Sequence, residues 1–393
     1  MVTQPRGGLI GCEPTDGMNR RRYLTIATAS LVGLAGCTSG DSGSPTQPTQ
    51  TPEGFTLPVP EAELNRGAPK DAIPAIVDPA FGADWEDVEL PVRSRLVGDY
   101  TARPRLSPDD RVIGVERNGK ARAYPLKILN WHEIVNDEFD GPLLVTYCPL
   151  CGSGLTAERT VDGDVTTFGV SGLLWNADLV MYDEKTDSLW SQLLATAISG
   201  ERTGEALTLT PSSLTTWGAW QASHPETVVL LPPPFSGTVV GETSRDYTRN
   251  PYASYGDSDQ IGIGFTEFED DRLHPKTLVI GITDGTTARA YPFAELDGAH
   301  VVNDTVGSRP VVVAALTDGS LVAYDRTIGE DVLTFAPGEP DEMTGGGSRW
   351  QLATGVAIDG PHVGTHLARA NDVSPLFWFA WATFNPETDI YTG

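Results

Sequence analysis

The sequence predicts a β-rich α+β fold, in which a tandem duplication produces two related lobes packed together. Three observations support this fold class: a long internal repeat, turn signals between short alternating segments, and few stretches with helical character. Each lobe is expected to contain short antiparallel strands and about one helix. The chain has 393 residues, of which 39% are hydrophobic, so it is long enough to bury sizeable cores.

The internal repeat gives the domain organisation. Residues 112–168 match residues 279–335 at a constant shift, and Ala121–Pro125 recurs letter for letter as Ala288–Pro292. A match at one fixed shift is the signature of a duplicated structural unit. The predicted segments are a first repeat over 91–231, a bridge over 232–275 and a second, degenerate repeat over 276–393.

Turn and capping signals predict the elements of each repeat. Asn118-Gly119 favours a hairpin turn, and Asp162-Gly163 favours another. The strands predicted around these turns are Arg111–Val115, Ala121–Tyr124, Leu143–Tyr147 and Val165–Val170. A helix capped by Ser212 or Ser213 is predicted over Leu214–Ser223, and Ser374–Phe384 is its predicted counterpart. Asn136-Asp137, which recurs as Asn303-Asp304, predicts a turn in both repeats.

The amino-terminal segment predicts export and lipid anchoring. Paired arginines after Met18, the expected true start, precede a short apolar run, which is typical of a twin-arginine signal over residues 1–36. Leu34-Ala35-Gly36-Cys37 resembles a lipobox, so Cys37 is the predicted lipidation site; a simple cleaved signal is the alternative. Residues 37–60 then form a flexible tether rich in Ser, Thr, Gly and Pro. We expect an exported protein held to the outer face of the cell membrane.

Charge excludes one class of partner. The formal net charge is −26, with a pI near 4.4 and only five lysines. Such a chain has no excess of basic residues to neutralise phosphates, which excludes a general nucleic-acid binder. An acidic, lysine-poor surface is instead typical of proteins from high-salt organisms, because strong salt screens the self-repulsion. A protein or small-molecule partner stays open.

The repeat also identifies candidate functional residues. At the repeat shift, Cys148 falls on Ala315, Cys151 on Asp318 and His132 on Ala299, although a one-residue slip would bring His300 opposite His132. The segment 172–183 has no good counterpart in the second repeat. Since residues needed for folding should persist in both repeats, residues kept in one repeat are candidates for chemistry.

The motif Tyr147-Cys148-Pro149-Leu150-Cys151-Gly152 predicts a soft-metal or redox site. Two thiolates three residues apart can bind one metal ion, but a four-ligand shell needs further donors. We therefore predict Cys148, Cys151 and His132 as metal ligands, with Asp178 or Asp183 supplementing or orienting them. Thiolates combined with imidazole favour zinc or copper.

Two other functions are compatible with the same cysteine pair. The cysteine pair is also typical of a thiol–disulfide oxidoreductase. Alternatively, it forms a structural disulfide in a non-catalytic ligand-binding or adhesion module, with Trp131, Trp175 and Trp190 lining a groove. The sequence contains no phosphate-binding loop, Gly-x-Ser-x-Gly elbow or His-Glu-x-x-His motif, which leaves no basis for a hydrolase or nucleotide-dependent enzyme.

Several motifs together resemble one known family. They are Asn130–Asp137, the Tyr147–Gly152 box, Phe168–Leu173, Met181–Asp183, Ser188–Gln192, Arg245-Asp246-Tyr247 and Asn250-Pro251-Tyr252. In combination they are similar to the domain of unknown function 3179, over roughly Pro91 to Pro386. The resemblance implies membership of that family and brings no established activity. The second repeat departs from the pattern at its cysteine box, which indicates a structural copy.

Overall fold

A computed structural model describes residues 55–93, 97–241, 243–263, 268–296 and 301–393. The predicted signal segment, Cys37 and most of the predicted tether lie outside these residues. The last tether residues are described, and they pack against the body of the protein. Phe55 contacts the ring of Trp175, and the amide of Val59 donates to the carbonyl of Ile198 at 2.8 Å.

The first half of the chain contains nineteen strands and two α-helices within the described residues. Its strands are β1 (Leu64–Arg66), β2 (Ile76–Asp78), β3 (Phe81–Gly82), β4 (Leu90–Val92), β5 (Tyr100–Ala102), β6 (Arg111–Arg117), β7 (Lys120–Pro125), β8 (Ile134–Glu138), β9 (Pro142–Cys148), β10 (Ser153–Ala157), β11 (Thr160–Val161), β12 (Asp164–Val165), β13 (Phe168–Trp175), β14 (Asp178–Asp183), β15 (Leu189–Ser191), β16 (Thr196–Ser199), β17 (Ser213–Thr216), β18 (Val228–Leu230) and β19 (Gly237–Thr238). Its helices are α1 (Leu126–His132) and α2 (Trp217–Ser223), and a 3₁₀ turn spans Glu61–Glu63.

The second half repeats this order in shorter form. Its described strands are β20 (Leu278–Thr283), β21 (Ala288–Pro292), β22 (Val301–Val306), β23 (Arg309–Ala315), β24 (Leu321–Asp325), β25 (Thr327–Ile328), β26 (Asp331–Val332), β27 (Phe335–Pro337), β28 (Glu342–Gly345), β29 (Ser348–Gln351), β30 (Val356–Ala357), β31 (Leu376–Phe377) and β32 (Asp389–Ile390). Its helices are α3 (Phe293–Leu296) and α4 (Trp378–Phe384), and a 3₁₀ turn spans Gly360–His362.

The strands form a six-bladed β-propeller arrangement, so the predicted α+β fold of two lobes is wrong. The described residues are 41% strand and 9% helix. In the first half, blade 1 has the strand order β17-β6-β7-β18-β3, blade 2 has β10-β9-β8-β2-β19 and blade 3 has β1-β13-β14-β15-β16. In the second half, blade 4 has β31-β20-β21-β32, blade 5 has β22-β23-β24 and blade 6 has β27-β28-β29-β30. Alternating apolar residues predict strands, but they do not show which strands share a sheet.

The predicted helices are shorter than expected, and each half has two. Leu214 was predicted to begin a helix, but Ser213–Thr216 form β17 against β6, and α2 begins only at Trp217. The hydroxyl of Thr216 caps α2 by accepting from the amide of Ala219. In each half a short edge strand therefore runs directly into a short helix. The sequence pattern of the segment predicts one longer helix and does not reveal the strand.

The predicted hairpin turns are confirmed by the backbone. Asn118 and Gly119 have φ values of 51° and 71°, and Asp162 and Gly163 have 52° and 75°. Two consecutive positive φ values produce the turn whose twist matches a hairpin. The predicted turn at Asn136-Asp137 is not formed, because both residues lie within β8.

Hydrogen bonds at two corresponding turns join the two halves. The amide of Phe377 in β31 donates to the carbonyl of Cys151 at 2.9 Å. In the opposite direction, the Asp318 carboxylate accepts from the Thr215 hydroxyl at 3.0 Å and from the Thr216 amide at 3.1 Å. The largest buried apolar cluster consequently combines first-half residues such as Cys148 with second-half residues such as Trp378. The cysteine motif thus lies in the shared core.

Candidate functional site

The cysteine motif forms the tight turn between β9 and β10. Cys148 is the last residue of β9 and pairs with Ser153. The amide of Cys151 donates to the Cys148 sulfur at 3.4 Å, which folds the turn back over the first thiol. Gly152 has a φ of 68°, and an added Cβ would lie 3.2 Å from the ring of Phe377. Both cysteines are free thiols, 1% and 0% exposed.

A second hairpin brings a carbonyl group to both thiols. Trp175 pairs with Asp178 across the two-residue turn Asn176-Ala177, in which both φ values are positive. The Cys148 and Cys151 thiols donate to the carbonyl oxygen of Ala177 at 3.8 and 3.4 Å. Positive φ is costly for alanine, and such strain often occurs at functional sites. The turn therefore positions its backbone directly over the sulfur atoms.

Asp178, the next residue, completes a compact group of three acidic side chains. One donor atom from each of Cys148, Cys151 and Asp178 can be chosen so that all three lie within 4.8 Å of one another, and all three residues are buried. One carboxylate oxygen, Oδ2, accepts from the Ser191 hydroxyl at 2.6 Å and from the Leu193 amide at 3.2 Å. The other oxygen, Oδ1, is buried without a hydrogen-bond partner. We call these three residues the thiol–carboxylate cluster.

Burial controls the ionisation of this cluster. Burial raises the pKa of Asp178 to about 7, although the hydrogen bond from Ser191 and interactions with nearby backbone amides, that of Leu193 first, act in the opposite direction. Burial also raises the pKa of Cys151, and the neighbouring Cys148 adds to that rise. No ion pair reaches Asp178 within the part of the chain that the structure describes. A cation placed among these groups would stabilise the ionised forms of three buried acidic side chains at once.

His132, the third predicted ligand, is held elsewhere. Its Nδ1 lies 2.7 Å from the carbonyl oxygen of Pro74, and its Nε2 lies 2.7 Å from the hydroxyl of Tyr247. Burial lowers the pKa of His132 to about 4, and the charge of Arg245 acts in the same direction. Since both ring nitrogens already have partners, the structure does not bring the imidazole into the thiol–carboxylate cluster. It anchors the bridge through Tyr247 instead.

Asp183 is also separate from the cluster. Its Oδ1 accepts from the amide of Thr186, and its Oδ2 accepts from the indole Nε1 of Trp190 at 3.0 Å and from the amide of Ser188. These bonds close the turn between β14 and β15. The carboxylate therefore serves the local fold of blade 3.

Glu133 is a buried carboxyl that sequence reasoning missed. It follows α1 with a φ of 57°, is 6% exposed and makes no side-chain hydrogen bond to the described residues. Burial raises the pKa of Glu133 to about 8, and the carboxyl acts electrostatically on Cys151. An acidic residue directly before the apolar pair Ile134-Val135 is the sequence signal that could have identified it.

The predicted tryptophan groove is not formed. Trp175 and Trp190 are 1% and 0% exposed and belong to different buried clusters. Trp131 is half-buried and donates to the carbonyl of Arg249 at 3.3 Å. Aromatic residues in a strand-rich chain fill cores by default, and two of these three do so.

The donor set of the cluster fits a soft or borderline metal ion. Thiolates bind zinc and copper, and a carboxylate is an accepted zinc ligand. Zinc bonds of about 2.3 Å to sulfur and about 2.1 Å to oxygen require donor separations of roughly 3.5–3.8 Å. The present separations lie within 4.8 Å, so a modest contraction would bring the donors to bonding distance. The unpartnered Oδ1 of Asp178 is the type of atom that such an ion satisfies.

Comparison with known proteins confirms the family resemblance. The chain matches the family described as "Protein of unknown function (DUF3179)" over residues 70–388. No curated protein and no solved structure matches it. Within the described ranges, no helix has the length and apolar character needed to cross a membrane. The family match covers most of the chain and contains the whole thiol–carboxylate cluster, so the chain belongs to the DUF3179 family.

Proposed function

We propose that this protein binds a soft or borderline metal ion, zinc or copper, through Cys148, Cys151 and Asp178. The observation that carries the proposal is the buried, unpartnered Oδ1 of Asp178 within a group that also contains two buried thiols. A buried carboxylate oxygen without a donor is unfavourable unless it is protonated or bound to a cation. A metal ion would satisfy it and would hold both sulfurs as thiolates.

The ligand number also favours a metal site with one open position. Three protein ligands leave one site of a tetrahedral shell, as in catalytic zinc centres, whereas structural zinc sites use four protein ligands. The carbonyl oxygen of Ala177 is a further donor close to the cluster, because both thiols already contact it. Two thiolates are by themselves a suitable donor pair for Cu(I).

The proposed location is the outer face of the cell membrane, with Cys37 lipidated. This part of the proposal is supported by the twin-arginine and lipobox patterns of the sequence. Outside the cytoplasm, oxidation of the two thiols would compete with metal binding. The exposures of 1% and 0% for Cys148 and Cys151 favour retention of the thiols, because burial limits access of oxidants and disulfide partners.

Dithiol–disulfide redox chemistry is a second candidate. The observation that favours it is the Cys151 amide, which donates to the Cys148 sulfur at 3.4 Å and would stabilise negative charge there. Oxidation would join the two sulfurs and release two protons and two electrons to a small oxidant. Burial of both sulfurs argues against exchange with a protein partner, so the metal site is the stronger proposal.

Metal content per chain tests the proposal directly. Full-length protein is produced with zinc and copper supplied, purified under reducing conditions and analysed by elemental mass spectrometry. We expect about one zinc or copper ion per chain, and at least tenfold weaker metal binding after Cys148→Ser, Cys151→Ser or Asp178→Asn, a loss of about 1.4 kcal/mol or more. Intact mass of the same protein shows whether Cys37 carries a lipid.

Asp318→Asn is the matched control, because Asp318 occupies the position of Cys151 in the second half. We expect this variant to bind metal as the wild type does. A folded wild type that retains no zinc or copper would contradict the metal proposal. If the metal-free protein instead forms a reversible Cys148–Cys151 disulfide, the redox candidate takes its place.

A further inference from the structure

A cleft of about 460 Å³ lies beside the cysteine turn, separate from the thiol–carboxylate cluster. Tyr147 and Pro149 line it, whereas Cys148, between them in the chain, is buried in the shared core. Its size falls within the range of small-molecule sites, about 300–1,000 Å³. The lining includes five aromatic side chains, Tyr147, Tyr247, Tyr252, Tyr255 and Phe377.

Polar contacts hold the segments that line this cleft. Lys276, which is 7% exposed, donates to the carbonyl oxygens of Tyr255 and Ser258 at 2.7 and 3.1 Å. Its ammonium group lies 3.4 Å from the centre of the Tyr255 ring. At the exposed part of the lining, the Asn130 side chain donates to that of Asn250 at 3.2 Å. These contacts join the bridge to α1 and to Lys276, so the cleft is largely pre-formed.

Arg111 supplies a charge without an ionic partner at this cleft. Its guanidinium group forms no ion pair within the described residues, and its one hydrogen bond is a long contact of 3.4 Å from Nη2 to the carbonyl of Leu214. The Nε atom is buried without a partner. Burial lowers the pKa of Arg111, and Asp318 acts in the opposite direction from beyond ion-pair distance. Asp318 itself is satisfied by hydroxyl and amide donors.

The remaining charged groups of the cleft are paired or exposed. Asp110 and Lys127 form an ion pair at 2.6 Å. Asp109, Arg249 and Asp257 are exposed at the rim. Arg111 is therefore the one cleft-lining charge, among the described residues, that is both largely buried and unpaired. The hydroxyls of Tyr147 and Tyr252 also make no hydrogen bond to the described residues.

We propose that this cleft binds a small organic carboxylate with a flat, aromatic body. The planar guanidinium of Arg111 would pair with the carboxylate, a geometry that arginine provides in bidentate form. The rings of Tyr252, Tyr255 and Phe377 would contact the flat body, and the free tyrosine hydroxyls would add hydrogen bonds. This site uses none of the proposed metal ligands.

Benzoate and its neutral analogue benzamide test this inference on the full-length protein by ligand-observed NMR titration. We expect benzoate to bind with a Kd of about 1 mM or tighter, and benzamide to bind at least tenfold more weakly. Arg111→Gln should weaken benzoate binding at least tenfold. Arg103→Gln is the matched control, because Arg103 is an exposed arginine paired with Glu89 away from the cleft.

A second variant covers the case in which Arg111→Gln does not fold. Ala253 is an exposed residue that lines the cleft, so Ala253→Trp should obstruct the cleft without disturbing the core. We expect this variant to lose benzoate binding while it keeps its metal content. Equal affinity for benzoate and benzamide, absence of benzoate binding, or full binding by Ala253→Trp would each overturn the inference.

Discussion

The two halves of the molecule share a polar framework that the duplication retains. Asn136 exchanges two hydrogen bonds with the backbone of Phe168, at 2.8 and 2.7 Å, and Asn303 does the same with Phe335 at 2.7 and 2.8 Å. Each asparagine lies in one blade and bonds to a strand of the next blade, β13 in the first half and β27 in the second. Polar residues kept in both halves therefore join neighbouring blades.

The halves differ at the cysteine turn, and strand pairing shows how. In the first half, the paired residues Cys148 and Ser153 enclose a turn of four residues. In the second half, the amide of Leu316 donates to the carbonyl of Ser320, and these two residues enclose a turn of only three. The structural counterpart of Cys148 is therefore the buried Leu316, and not Ala315 as the sequence register predicted. The Cys151 counterpart, Asp318, is used to hold β17 and α2.

The second difference is the length of the β13–β14 hairpin. In the first half this hairpin continues to the pair Trp175–Asp178, which carries the carboxylate to the thiols. In the second half the pairing of β27 with β28 ends at Pro337–Met343. A metal site therefore requires two local changes, a lengthened hairpin and a lengthened turn, on an otherwise shared scaffold.

Among the tests of this difference between the halves, the acid sensitivity of the first half has the largest expected effect. His132 is buried, and its pKa is lowered to about 4 from an ordinary 6.5. Between these values the unfolded chain binds a proton that the folded protein excludes, so stability falls as the pH falls from 6.5 towards 4. At about 1.4 kcal/mol per pKa unit, the total loss is about 3 kcal/mol.

Urea unfolding of the wild type and of His132→Gln at pH 7 and pH 4.5 measures this contribution. Glutamine retains a donor and an acceptor but does not titrate, so the variant should lose about 2–3 kcal/mol less stability on acidification. The buried carboxyls of Glu133 and Asp178 titrate in both proteins, and their contribution cancels in the difference. Parallel losses in the two proteins would show that His132 is not the acid-sensitive group.

The two core tryptophans provide a smaller, matched comparison. Trp190 and Trp350 are both 0% exposed, and their indole groups donate to the Asp183 carboxylate at 3.0 Å and to the Gly345 carbonyl at 2.9 Å. Replacement by phenylalanine removes similar ring volume from both sites. Hydrogen bonds to charged groups contribute more than neutral ones, so Trp190→Phe should be more destabilising than Trp350→Phe by about 1 kcal/mol. Equal losses in urea unfolding would contradict this difference.

The sequence predicted local structure and family better than architecture. The hairpin at Asn118-Gly119, its two strands and the strand over Leu143–Tyr147 were predictable, because turn chemistry and alternation are local signals. The predicted strand Val165–Val170 is wrong, because the segment is divided between β12 and β13. The six blades were not, since they depend on pairings such as β2 with β8, far apart in the chain. At the candidate site, the cysteine spacing and the segment unique to the first half pointed to Cys148 and Cys151 and to Asp178 as one of two supplementary residues, and the structure groups these three. The partners of His132, Pro74 and Tyr247, are long-range contacts that no local pattern encodes.

The smallest expected effect concerns the glycine that both turns retain. Gly152 and Gly319 have φ values of 68° and 80°, so alanine at either position should cost about 1 kcal/mol of backbone strain. The surroundings differ, because an added Cβ at Gly152 lies 3.2 Å from the Phe377 ring, whereas nothing lies within 4 Å at Gly319. We therefore expect Gly152→Ala to lose up to about 1 kcal/mol more than Gly319→Ala in urea unfolding. Equal losses would mean that the Phe377 ring moves aside at little cost in free energy. The packing of β31 against the cysteine turn would then be less rigid than the hydrogen bond from Phe377 to Cys151 implies.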